Sequence, residues 1–370
     1  MSQIDPNGLF PDVDVLCGMP ELGGVAACEF QVLQNDSSNC AFILDLKEEQ
    51  PPYGLPNQLY ARIRKSEKNE PLLATAALQK LAYAVLPHLV PKIWGSGHSR
   101  TDDGTVIAYV LSQVYPNACT LESVWGDLDD NNRAKLIDNL FEAISKLRRV
   151  SLPKLSYEQR KIFRNTPFEI KDAENPISVG GPSYGYHSGI GSFLQDNLYP
   201  RDAESTVNTK PDGTVVVSVY APKEESFGFP QTDLDVLTQS SIFCHNDLEP
   251  CNILDEAGFV PFAFEVGRKD SHLGLQNVTW SWYDMYRQLA AHHLLDTPGH
   301  SIWSKLIRCL MSVAACHQDS EGSTTDGQAQ RLWQEKEKIT FSTLTEEGWV
   351  KMGGSEVFNF KVEENEQYQG

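Results

Sequence analysis

The sequence predicts an α+β chain built as two unequal lobes, a small one rich in strands and a larger one that is mostly helical. Three observations carry this. Between residues 28 and 114, short apolar runs bounded by turn residues surround a single helical stretch. After Pro116 the apolar residues change to helical spacing. The chain has 370 residues, 41% of them hydrophobic, which is enough to fill a large core.

In chain order, residues 13 to 46 read as strands, with Cys28–Leu33 and Cys40–Leu46 as apolar-rich runs split by the turn residues Asn35-Asp36-Ser37-Ser38-Asn39. Leu59 to Arg64 reads as a third strand. Residues 70 to 85 read as a helix, because Leu73, Ala76, Ala77, Leu81 and Ala84 recur at steps of three and four. Lys92 to Trp94 and Val106 to Val114 complete the small lobe. Leu136, Leu140, Ile144 and Leu147 form a stripe that predicts a helix over 134–150. The stretch 172–232, rich in Gly, Pro, Ser and Tyr, is too long for an ordinary connection and reads as a functional insertion or lid. Ser241 to Cys244 is a strand, Gly258 to Glu265 its hairpin return, and Trp280 to Leu295 another helix. Residues 318–330 read as a polar linker, followed by one helix and an acidic tail. The division expected is 1–114, 115–317 and 318–370.

The net charge of −19 argues against nucleic-acid or anionic-membrane partners, since both need a basic face. It leaves a nucleotide possible, which needs only a local set of donors. The eight cysteines form no C-x-x-C pair, and no charged-then-apolar segment opens the sequence. Reduced thiols in a cytoplasmic protein are therefore expected. No apolar run reaches the ~20 residues of a membrane helix.

The chemistry concentrates at His245-Asn246-Asp247-Leu248-Glu249-Pro250-Cys251-Asn252. Phosphoryl transfer needs a carboxylate to orient and deprotonate a hydroxyl, oxygen ligands for Mg²⁺, and a cation on the phosphates. A short loop can present Asp247 as the base and Asn252, five residues later, as a metal ligand. Glu265, thirteen residues beyond Asn252, can supply a second metal ligand from the end of the return strand. Asp and Asn also cap turns routinely, so the same residues can serve structure alone.

The run His245 to Leu254 resembles the H-G-D-L-x-P-x-N-I-L loop of aminoglycoside and related small-molecule phosphotransferases, especially the branch abundant in filamentous fungi. The resemblance implies a protein-kinase-like two-lobed fold using ATP and Mg²⁺. It makes Asp247 the catalytic base, Asn252 a Mg²⁺ ligand and His245 an organising residue. It further places Leu22-Gly23-Gly24-Val25 at a nucleotide loop, Arg62 on the phosphates and Gln113 in the hinge that takes adenine. Tyr184, Tyr186 and His187 would line an acceptor pocket for a small-molecule substrate. Two departures stand out. Glu265 replaces an Asp, with Ala263 at that place in a register shifted by two. The helix that should donate a Glu reads Ala74-Thr75-Ala76-Ala77-Leu78, with Glu70 one turn too early. Three readings follow: a kinase for a hydroxyl of a small, specialised metabolite; a pseudokinase that only binds; or a kinase fold reused for another reaction.

Overall fold

The computed structural model describes residues 4–23, 28–47, 54–66, 70–115, 124, 126–170, 177–198, 205–220, 224–245, 257–262, 264–265 and 300–320. The N-terminal part is one five-stranded antiparallel sheet. Its strands are β1 (Cys28–Asn35), β2 (Asn39–Leu46), β3 (Gln58–Lys65), β4 (Ile93–Arg100) and β5 (Val106–Gln113), in the spatial order β1-β2-β3-β5-β4. Alternation along β3 sends Leu59, Ala61 and Ile63 to one face and Tyr60, Arg62 and Arg64 to the other. The first face packs with Phe42, Leu44, Ile107 and Leu111, and is covered by Leu9, Val15, Leu16, Met19 and Leu22 from the N-terminal segment with its short helix α1 (Val13–Cys17).

The opposite face is covered over β4 and β5 by α2 (Pro71–Val85), whose first position holds a proline with its φ already helical. Two stripes of this helix are buried. Leu72 and Ala76 meet Ile93, Ala108 and Val110 of the sheet. Ala74, Ala77, Leu78 and Leu81 join the core of the remaining chain. α2 therefore ties the sheet to everything that follows it.

The β1–β2 connection is closed by Asp36, whose carboxylate accepts from the backbone N–H of Ser38 (2.7 Å) and Asn39 (2.8 Å) and from both of their side chains. These bonds, the Ser38 N–H foremost, hold its carboxyl far below the ordinary range. A folded value below the unfolded one means the turn's contribution is complete above the usual carboxylate range and fades as the pH falls below it. Asp36→Ala is expected to cost about 1 kcal/mol at pH 7, the usual cost of a lost cap, and less below about pH 4. Urea melts at the two pH values check this.

The second core begins with α3 (Asp130–Arg148), which Asp129 caps through the Asn132 N–H at 2.8 Å, and α4 (Tyr157–Ile162), opened by a capping box between Ser156 and Gln159. It continues with β6 (Val179–Gly181), β7 (Gly185–His187), α5 (Ile190–Asn197), β8 (Ser205–Thr209), β9 (Val215–Val219), β10 (Glu225–Phe229), α6 (Gln231–Gln239), β11 (Ser241–Cys244), β12 (Gly258–Pro261) and α7 (His300–Ser320). β8, β9 and β10 form a three-stranded antiparallel sheet, and β11, β12, β6 and β7 a second sheet in that order. Phe163, Phe168, Phe243 and Phe259 form a cluster of edge-on and tilted rings under the second sheet.

The stretch 172–232 is therefore no structureless lid. It supplies β6 to β10 and α5, and buries Val179, Phe193, Val215, Val217 and Phe229 in the common core. Two of its glycines serve close backbone approach: a Cβ on Gly180, which has φ +102°, would stand 2.1 Å from the Gly185 carbonyl oxygen, and one on Gly181 would stand 2.5 Å from the Ala257 carbonyl oxygen. The helix α7 runs three residues into the expected linker. Among the described residues no helix is long and apolar enough to cross a membrane, and Cys17, Cys40, Cys244 and Cys309 are free thiols. The helix expected over 280–295 and the tail after 320 lie outside the described residues.

Candidate functional site

β11 is built from Ser241-Ile242-Phe243-Cys244, buried at three of its four positions. It is pinned on one side by β12, with Cys244 opposite Gly258, and on the other by the Phe243 N–H donating to the Val150 carbonyl at 2.9 Å. The strand stops at His245. Asn246 to Glu256 lie outside the described residues, and with them Asp247 and Asn252. What the structure fixes is the base of this hairpin.

The return path differs from the expected one. β12 ends at Pro261, and the chain turns helical at Phe262, Phe264 and Glu265. Glu265 is thus past the strand's end, with its side chain 0% exposed. Its Oε1 faces Nη2 of Arg148 at 3.3 Å, and Arg148 is 1% exposed. Its Oε2 accepts the backbone N–H of His245 at 2.9 Å. The Arg148 guanidinium also lies 3.5 Å from the ring centroid of Phe262 and 5.7 Å from that of Phe141. Arg148 occupies the last turn of α3, where a cation also suits the helix's negative end. Removing one partner of such a buried pair strands the other and costs about 3–5 kcal/mol.

The Cys244 thiol is pushed well above its ordinary range, first by complete burial and then by the Glu265 charge. It donates to the Val260 carbonyl at 3.7 Å, and functions as a small apolar filler.

Mg²⁺ requires oxygen ligands in near-octahedral geometry at about 2.0–2.1 Å. Glu265 does not fit this: one oxygen looks at a guanidinium cation, the other holds a backbone N–H, and neither reaches solvent. Among the described residues no cluster of three His, Cys, Asp or Glu side chains could hold a metal ion.

The nucleotide residues are distributed as follows. Gly23 closes a 3-10 turn over Pro20–Leu22 with φ +62° and precedes β1. Gly24 lies outside the described residues. A Gly-Gly pair reads the same whether it ends a helical turn or wraps a phosphate. Arg62 is half-buried on the face of β3 shared with Tyr60, opposite Ala41 and Val110. Glu70, the acid nearest the expected partner position, begins α2 and faces His98 Nε2 at 3.1 Å. Lys80 of α2 donates to Ser96 Oγ at 2.7 Å, and burial lowers its pKa. Gln113 ends β5, and its backbone N–H donates to the Lys92 carbonyl at 2.8 Å.

The expected acceptor residues pack into the core instead. Tyr184 is buried edge-on against Phe264, Tyr186 lies partly buried against Phe168, and His187 Nε2 lies 2.9 Å from the Tyr184 carbonyl. Burial pushes the Tyr186 phenol up. The residue that sequence reasoning missed is Arg148. Its signal was its place on the buried face of α3, four residues after Ile144 and eleven after Ile137, where a solvated arginine would not sit.

No protein-family profile matches the chain, and no curated protein does. Among solved structures, spectinomycin phosphotransferase APH(9)-Ia in complex with ADP and spectinomycin aligns at TM-score 0.33 and 11% identity, over 84% of this chain and 88% of that one. The GDP complex of a point mutant of aminoglycoside 2'-phosphotransferase-IIIa aligns at TM-score 0.31 and 11% identity, over 86% and 94% of the two chains. The wild-type form gives 0.30 and 11%, over 84% and 92%.

Proposed function

We propose that the chain is a phosphotransferase that moves a phosphoryl group from a nucleoside triphosphate to a hydroxyl of a small molecule. One observation carries the reading. The antiparallel pairing of β11 with β12 makes the segment that bears Asp247 and Asn252 the connecting loop of a hairpin, rooted at Cys244 opposite Gly258. In the reaction, the acceptor oxygen forms a bond to the γ-phosphorus while the bond to the β–γ bridging oxygen breaks. The nucleoside diphosphate leaves with that electron pair, and the hydroxyl proton passes to the Asp247 carboxylate. Arg62 contacts the phosphates. Residues 1–114 form the small lobe and 115–317 the large one.

Calorimetric titration with ATP, with and without Mg²⁺, followed by a phosphoryl-transfer assay on a panel of hydroxyl compounds, tests the reading. Saturable nucleotide binding with transfer supports it; absence of nucleotide binding at millimolar concentration overturns it. Arg62→Ala is expected to weaken ATP by about 10- to 100-fold, the value of a charge-assisted hydrogen bond, and adenosine hardly at all. An equal loss for both ligands would confine Arg62 to the sheet.

A second reading, a module that binds without transferring, is favoured by the engagement of both Glu265 oxygens within the protein. Nucleotide binding without turnover would select this reading.

A further inference from the structure

We propose that Glu265 is a positioning residue which, together with Arg148, fixes how the chain leaves β11 into the loop bearing Asp247, and that it is not a ligand of the metal. The proposal deepens the phosphotransferase reading and rests on it for the loop's purpose. Its structural part stands on geometry alone.

Each Glu265 oxygen reaches a different element. Oε1 takes the side chain that ends α3, and Oε2 takes the backbone N–H of the first residue after β11. That N–H lies one step beyond the last β11–β12 pair, Cys244 with Gly258. A carboxylate thus continues the strand's hydrogen bonding at the point where the strand itself stops. Backbone dihedrals at His245 set the direction in which the chain leaves the strand, so a bond at this N–H acts where the connecting segment begins.

The cation that holds the carboxylate is itself held. Phe262 and Glu265 are three residues apart in one helical turn and present one side to the same guanidinium, by ring face and by oxygen. The ion pair and the backbone N–H together offset the cost of burying a carboxylate at this place. A dication at Oε1 would stand against the guanidinium.

Glutamate is also the only acidic residue long enough to bridge the two partners. A ligand to metal at this place would tolerate aspartate. A bridge between Arg148 and His245 would not, because losing a methylene withdraws the carboxylate from one partner or the other.

The test uses the full chain and four variants: Glu265→Gln, Glu265→Asp, Arg148→Met, and the double Arg148→Met/Glu265→Gln. Thermal melts, hydrogen exchange of the segment containing the His245 amide, and ATP titration across Mg²⁺ concentrations are read for each. Each single substitution at the charge pair is expected to lower Tm by about 5 °C or more, and the double to recover at least half of the summed loss, because no charge is left stranded. Glu265→Gln, whose amide oxygen can still accept from His245, should keep the slow exchange that Glu265→Asp loses. The Mg²⁺ midpoint for ATP binding should stay within about twofold of wild type in Glu265→Gln, while kcat falls and the nucleotide KM holds. Additive Tm losses would overturn the pairing. A tenfold rise of the Mg²⁺ midpoint in Glu265→Gln, restored in Glu265→Asp, would overturn the positioning role in favour of metal coordination. If the wild type binds no nucleotide, the phosphotransferase reading falls; the melts and the exchange still decide for or against the bridge.

Discussion

Asp247→Asn is expected to lower the rate of phosphoryl transfer by about 10²- to 10⁴-fold, the usual value of a positioned general base. An amide keeps the shape of the carboxylate and can still accept a hydrogen bond from the acceptor hydroxyl. It cannot take the proton. Affinity for the nucleotide should stay near wild type, since the group acts on the acceptor and not on the phosphates. Single-turnover transfer and calorimetry on the same preparation separate the two. Full activity in the Asn variant would remove Asp247 from the chemistry. The comparison with Glu265→Gln is informative: loss of the base should reduce kcat without touching Tm, whereas loss of the buried charge should reduce both.

The largest effect on stability is expected from Phe259→Ala, at about 3–5 kcal/mol. Phe259 is 0% exposed. Its ring lies 5.7 Å from that of Phe163, 5.9 Å from Phe243 and 6.2 Å from Phe168. It sits in β12, between β11 and β6, so the cavity left by alanine opens where three segments of the chain meet. The neighbouring aromatic rings are rigid and belong to separate elements, which limits collapse into the space. Phe259→Leu should cost a minor fraction of this, because it refills much of the volume. Urea unfolding checks both variants; a loss below about 1 kcal/mol for alanine would mean that the cluster relaxes to fill the gap.

Much of the small lobe was legible because its signals are local. The β1–β2 turn, the apolar steps of α2 and the alternation along β3 are all written within a few residues of where they act, and each was found close to its observed bounds. β6 and β7 were not legible. At three residues apiece, they are too short for alternation to register. Gly23 ends a helical turn in the left-handed region, a position that the bare sequence does not separate from a phosphate loop. Tyr184 and His187 looked like a pocket wall because aromatic and titratable residues in a Gly-rich stretch resemble a binding loop; the fold buries them instead. The pair Arg148–Glu265 was unreadable in principle from local pattern, since nothing near either residue announces the other. The resemblance of the loop around His245 pointed to Glu265, while its partner could be found only in three dimensions.

That separation bears on the order in which the chain assembles. Arg148 precedes Glu265 by 117 residues, so the ion pair between them can form only once the chain has grown past Glu265. The five strands of the first sheet, by contrast, pair with neighbours that have all emerged by Gln113. The nascent small lobe can therefore close well before the large one, whose β11, β12, β6 and β7 join segments far apart in sequence and fold correspondingly late. A ribosome stalled between residues 148 and 265 should carry a protease-resistant first sheet and an α3 that is still cut.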